Sequence, residues 1–321
     1  MKPKSLIFIL TFTAAVFLLA GCSESAGKEP EGKLAYRSRG IALLADGDYH
    51  GAMDSFTAAL SCSNGLIETA DIDISYYMAV AQYKMGDAEG AWQTLDSIIA
   101  IRPGDDGAYY VRGKIELALG AIDEALRDFD MTVSLAPDNY DRYVGIYEEL
   151  HAKGYDSEAS GYLERALAAG DKLSDYNKGV VEYYMGSYTD ARSDLETARK
   201  TQNNESLTLY LGKTYEALGD MSYAMTLYSD YIRENPSAGR LYEQLARCRL
   251  ETGDYEGALE VIETGLDLGG GEGAGGMMFD RVVAYERLYD FESAKRSIEE
   301  YLQIYPDDTT ALRENVFLSS R

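Results

Sequence analysis

The chain has 321 residues, of which 54 are Asp or Glu and 30 are Lys or Arg, for a formal charge of -24. With 46% hydrophobic residues it can build a core, which excludes a disordered chain. So acidic a surface repels phosphate backbones and excludes nucleic acid as a partner, and the three cysteines, Cys22, Cys62 and Cys248, are too few for a disulfide scaffold.

Met1 to Cys22 opens with Lys2 and Lys4, runs uncharged from Leu6 to Ala20 and closes on Leu19-Ala20-Gly21-Cys22. An uncharged run of this length suits the core of a signal peptide better than a membrane span. The last four residues resemble the lipobox of bacterial lipoproteins. That resemblance implies that residues 1–21 are removed and that Cys22 becomes lipidated. The chain is then expected at the extracytoplasmic face of a cell membrane, or at the periplasmic side of an outer membrane if the cell has one. Acyl chains on Cys22 would hold it there without a transmembrane helix. Residues 22–32, polar and rich in small side chains, read as a flexible tether.

From Lys33 onward one pattern repeats. Taking an alanine as its marker, it recurs at Ala52, Ala91, Ala125, Ala159, Ala191, Ala224, Ala258 and Ala294, at intervals of 39, 34, 34, 32, 33, 34 and 36 residues. Ahead of most markers stands a Gly-Asp or Gly-Ser turn, as in Gly47-Asp48, Gly86-Asp87, Gly186-Ser187, Gly219-Asp220 and Gly253-Asp254. Glycine supplies a left-handed residue after one helix, and Asp or Ser can cap the next. The eighth unit departs from this, with Tyr289-Asp290-Phe291. Small residues recur where paired helices would cross, at Gly40, Ala79, Gly113, Gly179, Gly212 and Ala246, while Tyr147 and Val282 replace them in units four and eight. Pro103, Pro137, Pro236 and Pro306 fall where second helices must stop. The long first interval implies a loop near Ser61 to Asp73. Gly269 to Gly276 contains a literal GxGxxG, but no strand precedes it, so it reads as a mobile connector between repeats and not as a dinucleotide site. Cys62 and Cys248, six units apart, read as small buried fillers.

The clearest copy runs from Glu205 to Ala238. Leu211-Gly212-x-x-Tyr215, then Ala224-x-x-x-Tyr228 and Pro236, resembles the tetratricopeptide repeat, with Thr208 and Tyr228 where that family usually has Trp and Phe. The resemblance implies an all-α fold, a right-handed α-solenoid of about eight helical hairpins over residues 33–308. A C-terminal capping helix is expected within 309–321, started by Asp307 or Asp308, with Leu312, Val316 and Phe317 as its apolar face.

Two histidines, His50 and His151, lie in different repeats, and no Walker loop, nucleophile elbow or HExxH is present. No metal, cofactor or enzymatic activity is therefore expected. The compositional outlier is tyrosine, 27 residues. In the family the concave face is built by one side of the first helices. On that side the register places Tyr76, Tyr83, Tyr110, Tyr176, Tyr183 and Phe279, the residues expected to touch a ligand. Lys213, Arg240 and Arg247 share it and form a small cationic spot, with Glu243 among them, which suggests carboxylate capture or simply ordinary salt bridges. Rigid aromatics suit an extended peptide or a partner helix. The resemblance implies a scaffold or adaptor that binds a protein or peptide, and the acidic charge favours a partner with a basic surface. A receptor stacking glycans or cell-wall fragments on the same tyrosines is the alternative.

Overall fold

A computed structural model describes residues 32–63, 65–168 and 170–321. The expected signal peptide, Cys22 and nearly all of the expected tether lie outside these residues. Seventeen α-helices account for most of the described chain. The first pair is α1 (Lys33–Ala45) with α2 (Tyr49–Ser61), and the second is α3 (Thr69–Lys84) with α4 (Ala88–Ile101). Then come α5 (Asp106–Ala118) with α6 (Ile122–Leu135), and α7 (Tyr140–Ala152) with α8 (Asp156–Leu167). The next two pairs are α9 (Asp175–Tyr184) with α10 (Tyr188–Arg199), and α11 (Glu205–Ala217) with α12 (Met221–Glu234). Last come α13 (Gly239–Thr252) with α14 (Tyr255–Asp267), α15 (Ala274–Arg287) with α16 (Phe291–Ile304), and a single helix, α17 (Thr309–Leu318). Among the described residues there are no strands. No described helix is long and apolar enough to cross a membrane.

The turn chemistry explains where each pair folds back. Gly47, Gly86, Gly120, Gly154, Gly186, Gly219 and Gly253 all take left-handed φ angles, from 76 to 85°. The Asp that follows four of them caps the next helix: Asp48 accepts from the Gly51 amide at 2.9 Å and Asp220 from that of Tyr223 at 3.1 Å. Asp290 accepts from Ser293 in the same way although Tyr289 has replaced the glycine.

Packing follows the repeat register. All eight marker alanines are fully buried. A side chain in place of Gly113 would meet the Phe129 ring at 2.8 Å, one in place of Gly179 would meet Leu195 at 2.6 Å, and one in place of Gly212 would overlap the Tyr228 ring. These glycines let two helix axes close on a large residue of the second helix. In unit eight Val282 is fully buried instead, and in unit four Tyr147 stacks on His151 and meets Tyr184 edge-on.

Second helices pack against the first helix of the following pair, as α2 does on α3 and α12 on α13. First helices also touch one another, α5 with α7, α7 with α9, α9 with α11, α11 with α13 and α13 with α15. Among the described residues no two successive second helices make comparable contact. The stack is therefore tightest on the first-helix side, which is the inside of its bend.

Three expectations are corrected. The capping helix α17 starts at Asp308, which accepts from the amides of Thr310 (2.8 Å) and Ala311 (3.0 Å), but it buries Ala311 and Leu318 rather than Leu312, Val316 and Phe317. Ala311 and Leu318 are seven residues apart on one stripe, and the short Ala311 side chain lets α17 approach α16; Val316 is left 74% exposed. The glycine-rich stretch is a packed joint, with a 3-10 turn at Gly271–Gly273 pressed against the start of α13. A Cβ on Gly273 would run into the carbonyl of Gly239, and one on Gly275 would meet the Tyr305 hydroxyl at 2.9 Å. Finally, Cys248 is buried but Cys62 is exposed, because it follows the last turn of α2.

Candidate functional site

The inner face is tied from repeat to repeat by bonds that recur at about the period of the sequence. Lys33 pairs with Glu68 at 2.9 Å, 35 residues on, and Arg142 with Asp106 at 3.1 Å, 36 residues back. Arg247 reaches Asp280 at 3.2 Å across 33 residues, and Tyr184 donates to Glu148 across 36. Each joins first helices of consecutive pairs, so this layer is both the contact layer and a continuous surface.

Of the tyrosines assigned to this face, Tyr176 and Tyr183 on α9 are brought together with residues that the register did not single out. Tyr210 of α11 meets Tyr183 at 5.8 Å, Tyr184 at 5.9 Å and Tyr176 at 6.5 Å between ring centroids. The Tyr184 hydroxyl lies 3.1 Å from that of Tyr210, and Tyr147 of α7 meets Tyr184 at 5.5 Å. Edge-to-face packing of this kind gives a patch of α7, α9 and α11 whose rings are fixed by one another. Burial, with a contribution from neighbouring tyrosines and carboxylates, pushes the Tyr176 and Tyr183 hydroxyls up to about 12. Tyr184 is raised further by burial and by the nearby Tyr210 and Glu148. All are neutral donors at physiological pH. Tyr184 and Tyr210 each sit one residue beside the position taken as inward, and their partners lie in adjacent repeats, so only the adjacency of Tyr183 and Tyr184 hinted at them.

The other assigned tyrosines lie apart from this patch. Tyr76 donates to Asp105 at the start of α5. Tyr83 packs on the core of the second pair. Tyr110 carries the Arg142 guanidinium 4.5 Å from its ring and leans over Gly145 of α7. Phe279 is turned into its own pair, 5.6 Å from Tyr301 of α16.

The cationic spot is largely neutralised. Arg240 bonds Ser206 at 2.9 Å and lies 3.4 Å from Glu205. Arg247 pairs with Glu243 at 2.7 Å and with Asp280. Lys213 is half-buried, and burial holds its ammonium below the usual lysine range. Ordinary salt bridges therefore occupy the two arginines. Beside them Asp141, Tyr176, Asn204, Glu205, Ser206 and Arg240 line an open recess of about 420 Å³. No group of three or more His, Cys, Asp or Glu is placed to hold a metal among the described residues.

Sequence models of the tetratricopeptide repeat match residues 43–115 and, in two overlapping stretches, residues 176–239 and 211–273. Among curated proteins, BBSome complex member BBS4 of Bos taurus is 26% identical over 157 residues, 48% of this chain and 30% of that protein. The chain thus spans less than a third of that relative's length. Among solved structures, a tetratricopeptide repeat protein from Parabacteroides merdae ATCC 43184 aligns over 90% of this chain and 99% of its own, with a TM-score of 0.50 and 14% identity. Yeast Tom70 aligns over 88% of this chain and 56% of its own, with a TM-score of 0.56 and 16% identity. These likenesses show a shared fold, a solenoid of helical hairpins.

Proposed function

Because this chain belongs to the tetratricopeptide-repeat proteins, we propose that it is a non-enzymatic scaffold or adaptor that binds a protein or peptide segment along its inner face, tethered through lipidated Cys22 at the extracytoplasmic face of a bacterial membrane. The observation that carries the binding reading is the tyrosine patch of α7, α9 and α11. Its rings are already ordered by contact with one another, so a ligand loses little side-chain entropy in covering them. The patch lies on the layer where successive repeats meet, which suits a ligand that crosses several repeats. The cattle relative is by name a member of a complex, a role of the same kind. Anchoring is supported by Leu19-Ala20-Gly21-Cys22 after an apolar run. Two-dimensional confinement would raise the encounter rate with a partner in the same membrane.

Photo-crosslinkers placed at Tyr110 and Tyr183 in living cells test the binding reading. The expected result is one shared adduct from both positions and none from Glu158 on the outer face of α8. Adducts from Glu158 alone would overturn it. Separately, Cys22→Ser is expected to leave the protein out of the membrane fraction, and a variant that stays there would overturn the lipid anchor. A hydrolytic or transfer activity of the purified protein would overturn the non-enzymatic reading.

A further inference from the structure

Among the described residues four arginines share one arrangement, a guanidinium over an aromatic ring with a carboxylate as its ion-pair partner. Arg37 lies 5.4 Å from the Tyr77 ring centre and pairs with Asp73. Arg112 lies 5.6 Å from Tyr109 and pairs with Asp128 at 2.6 Å. Arg142 lies 4.5 Å from Tyr110 and 3.1 Å from Asp106. Arg165 lies 5.0 Å from Tyr162 and 2.6 Å from Asp130. The ring quadrupole and the carboxylate attract the same cation from two directions, and a guanidinium gives up little hydration to satisfy both.

The recess lined by residues of α7, α9, α11 and α13 holds the same two kinds of group, an aromatic side chain and a carboxylate. Tyr176 and Asp141 both line it. Asp141 is exposed, and its carboxylate makes no hydrogen bond or ion pair among the described residues. Its charge raises the Tyr176 and Tyr210 hydroxyls, while that of Arg240 lowers them. Arg240, the cation at the rim, is already taken by Glu205 and Ser206. Asn204 is taken as well, since its Oδ1 accepts from the Leu207 amide at 2.9 Å. The unmatched charge of the recess is therefore negative.

We propose that this recess receives a lysine or arginine side chain of the segment that occupies the inner face, with its cation over Tyr176 and Asp141 as counter-ion. The proposal rests on the reading of that face as a peptide-binding surface and adds the chemistry of one anchoring residue. An exposed ring contact and an exposed ion pair together are worth on the order of tenfold in affinity.

Fluorescence anisotropy of the full chain with a labelled decapeptide of alternating glycine and arginine tests it, with the glycine–glutamine decapeptide as a neutral comparison. The expected result is binding of the arginine peptide only. Asp141→Asn and Tyr176→Leu should each weaken it about threefold, and the two together about tenfold, whereas Glu158→Gln, which removes one charge from the outer face, should leave it unchanged. Asp141 is exposed, so its variant stays informative even if Tyr176→Leu disturbs packing. Equal weakening by Glu158→Gln would overturn the proposal in favour of diffuse attraction to an acidic surface. Crosslinked partners from Tyr110 and Tyr183 without any binding of the arginine peptide would overturn it while leaving the inner-face function intact. The loss of both would remove the two readings together.

Discussion

Tyr289 occupies the position at which seven other inter-helix turns place glycine, and it keeps their left-handed backbone, with φ 61° and 82% of its surface exposed. A Cβ in that conformation costs about 1–2 kcal/mol, offset in part by the extra freedom glycine gives the unfolded chain. Tyr289→Gly is therefore expected to raise stability by up to about 1 kcal/mol in urea unfolding, and a loss of stability would show that the exposed ring makes a contact worth more than the strain. A second group of residues sets the pH response. Glu116, Glu182 and Glu286 are pushed up to about 7, first by burial and then by the facing carboxyls of Asp128, Asp194 and Glu314. Each has one oxygen with no hydrogen-bond partner. In the unfolded chain the same groups ionise near 4.5. Folding thus binds protons between these values. The stability they contribute is fully present below about pH 4.5 and is lost as pH rises through about 7. Burial raises the Asp71 carboxyl, but Ser63, the Glu68 amide and Lys33 outweigh it and hold it low; Asp290 is held low by the Ser293 side chain and amide, and Asp308 by the Ala311 amide and the Tyr301 hydroxyl; these act oppositely, losing their contribution in stronger acid. Urea midpoints should be higher at pH 5.5 than at pH 8, and Glu116→Gln with Glu182→Gln should flatten the difference; a midpoint that rises with pH would refute the assignment. Trp92 donates to Glu116 at 3.1 Å, and as the sole tryptophan it reports that proton by fluorescence.

At the level of helices and joints, the hairpins were legible because their signals are local. A glycine, an aspartate and an alanine at fixed spacing set the turn, the cap and the crossing, and α11 and α12 fall within Glu205 to Ala238, the clearest copy of the pattern. Features decided by a distant partner were not legible. Gly269 to Gly276 reads as slack chain until the first turn of α13 is seen against it, and nothing near Gly239 in sequence announces that a carbonyl of Gly270 will fill the space beside it. The same holds for Tyr210, whose role depends on rings one repeat earlier, and for α17, where the face expected from Leu312, Val316 and Phe317 is not the one that α16 covers. The joint carries its own prediction. Gly239→Ala forces two backbones apart, at a cost of about 1–3 kcal/mol, and should speed amide exchange in α15, α16 and α17 while leaving α1 to α12 unchanged. Unaltered exchange in those three helices would mean that the joint does not hold the last repeat.

Across the full array, stability is a sum of hairpins and their interfaces. One continuous apolar cluster runs from Leu117 in α5 to Leu227 in α12, whereas the first pair rests on a small cluster around Phe56 and the end around Ile298 and Tyr301. Amide exchange should accordingly be slowest in α6 to α11 and fastest in α1, α2 and α17; uniform protection would point to a single cooperative unit. The arrangement also bears on how the chain comes to be folded. Each helix makes its substantial contacts with its immediate neighbours, and most first helices also touch the first helix two places along. Loop closure over long stretches is never required, so no stage of assembly waits for a distant segment. A hairpin can settle as soon as the one before it is in place, and the order in which the chain emerges becomes the order of folding.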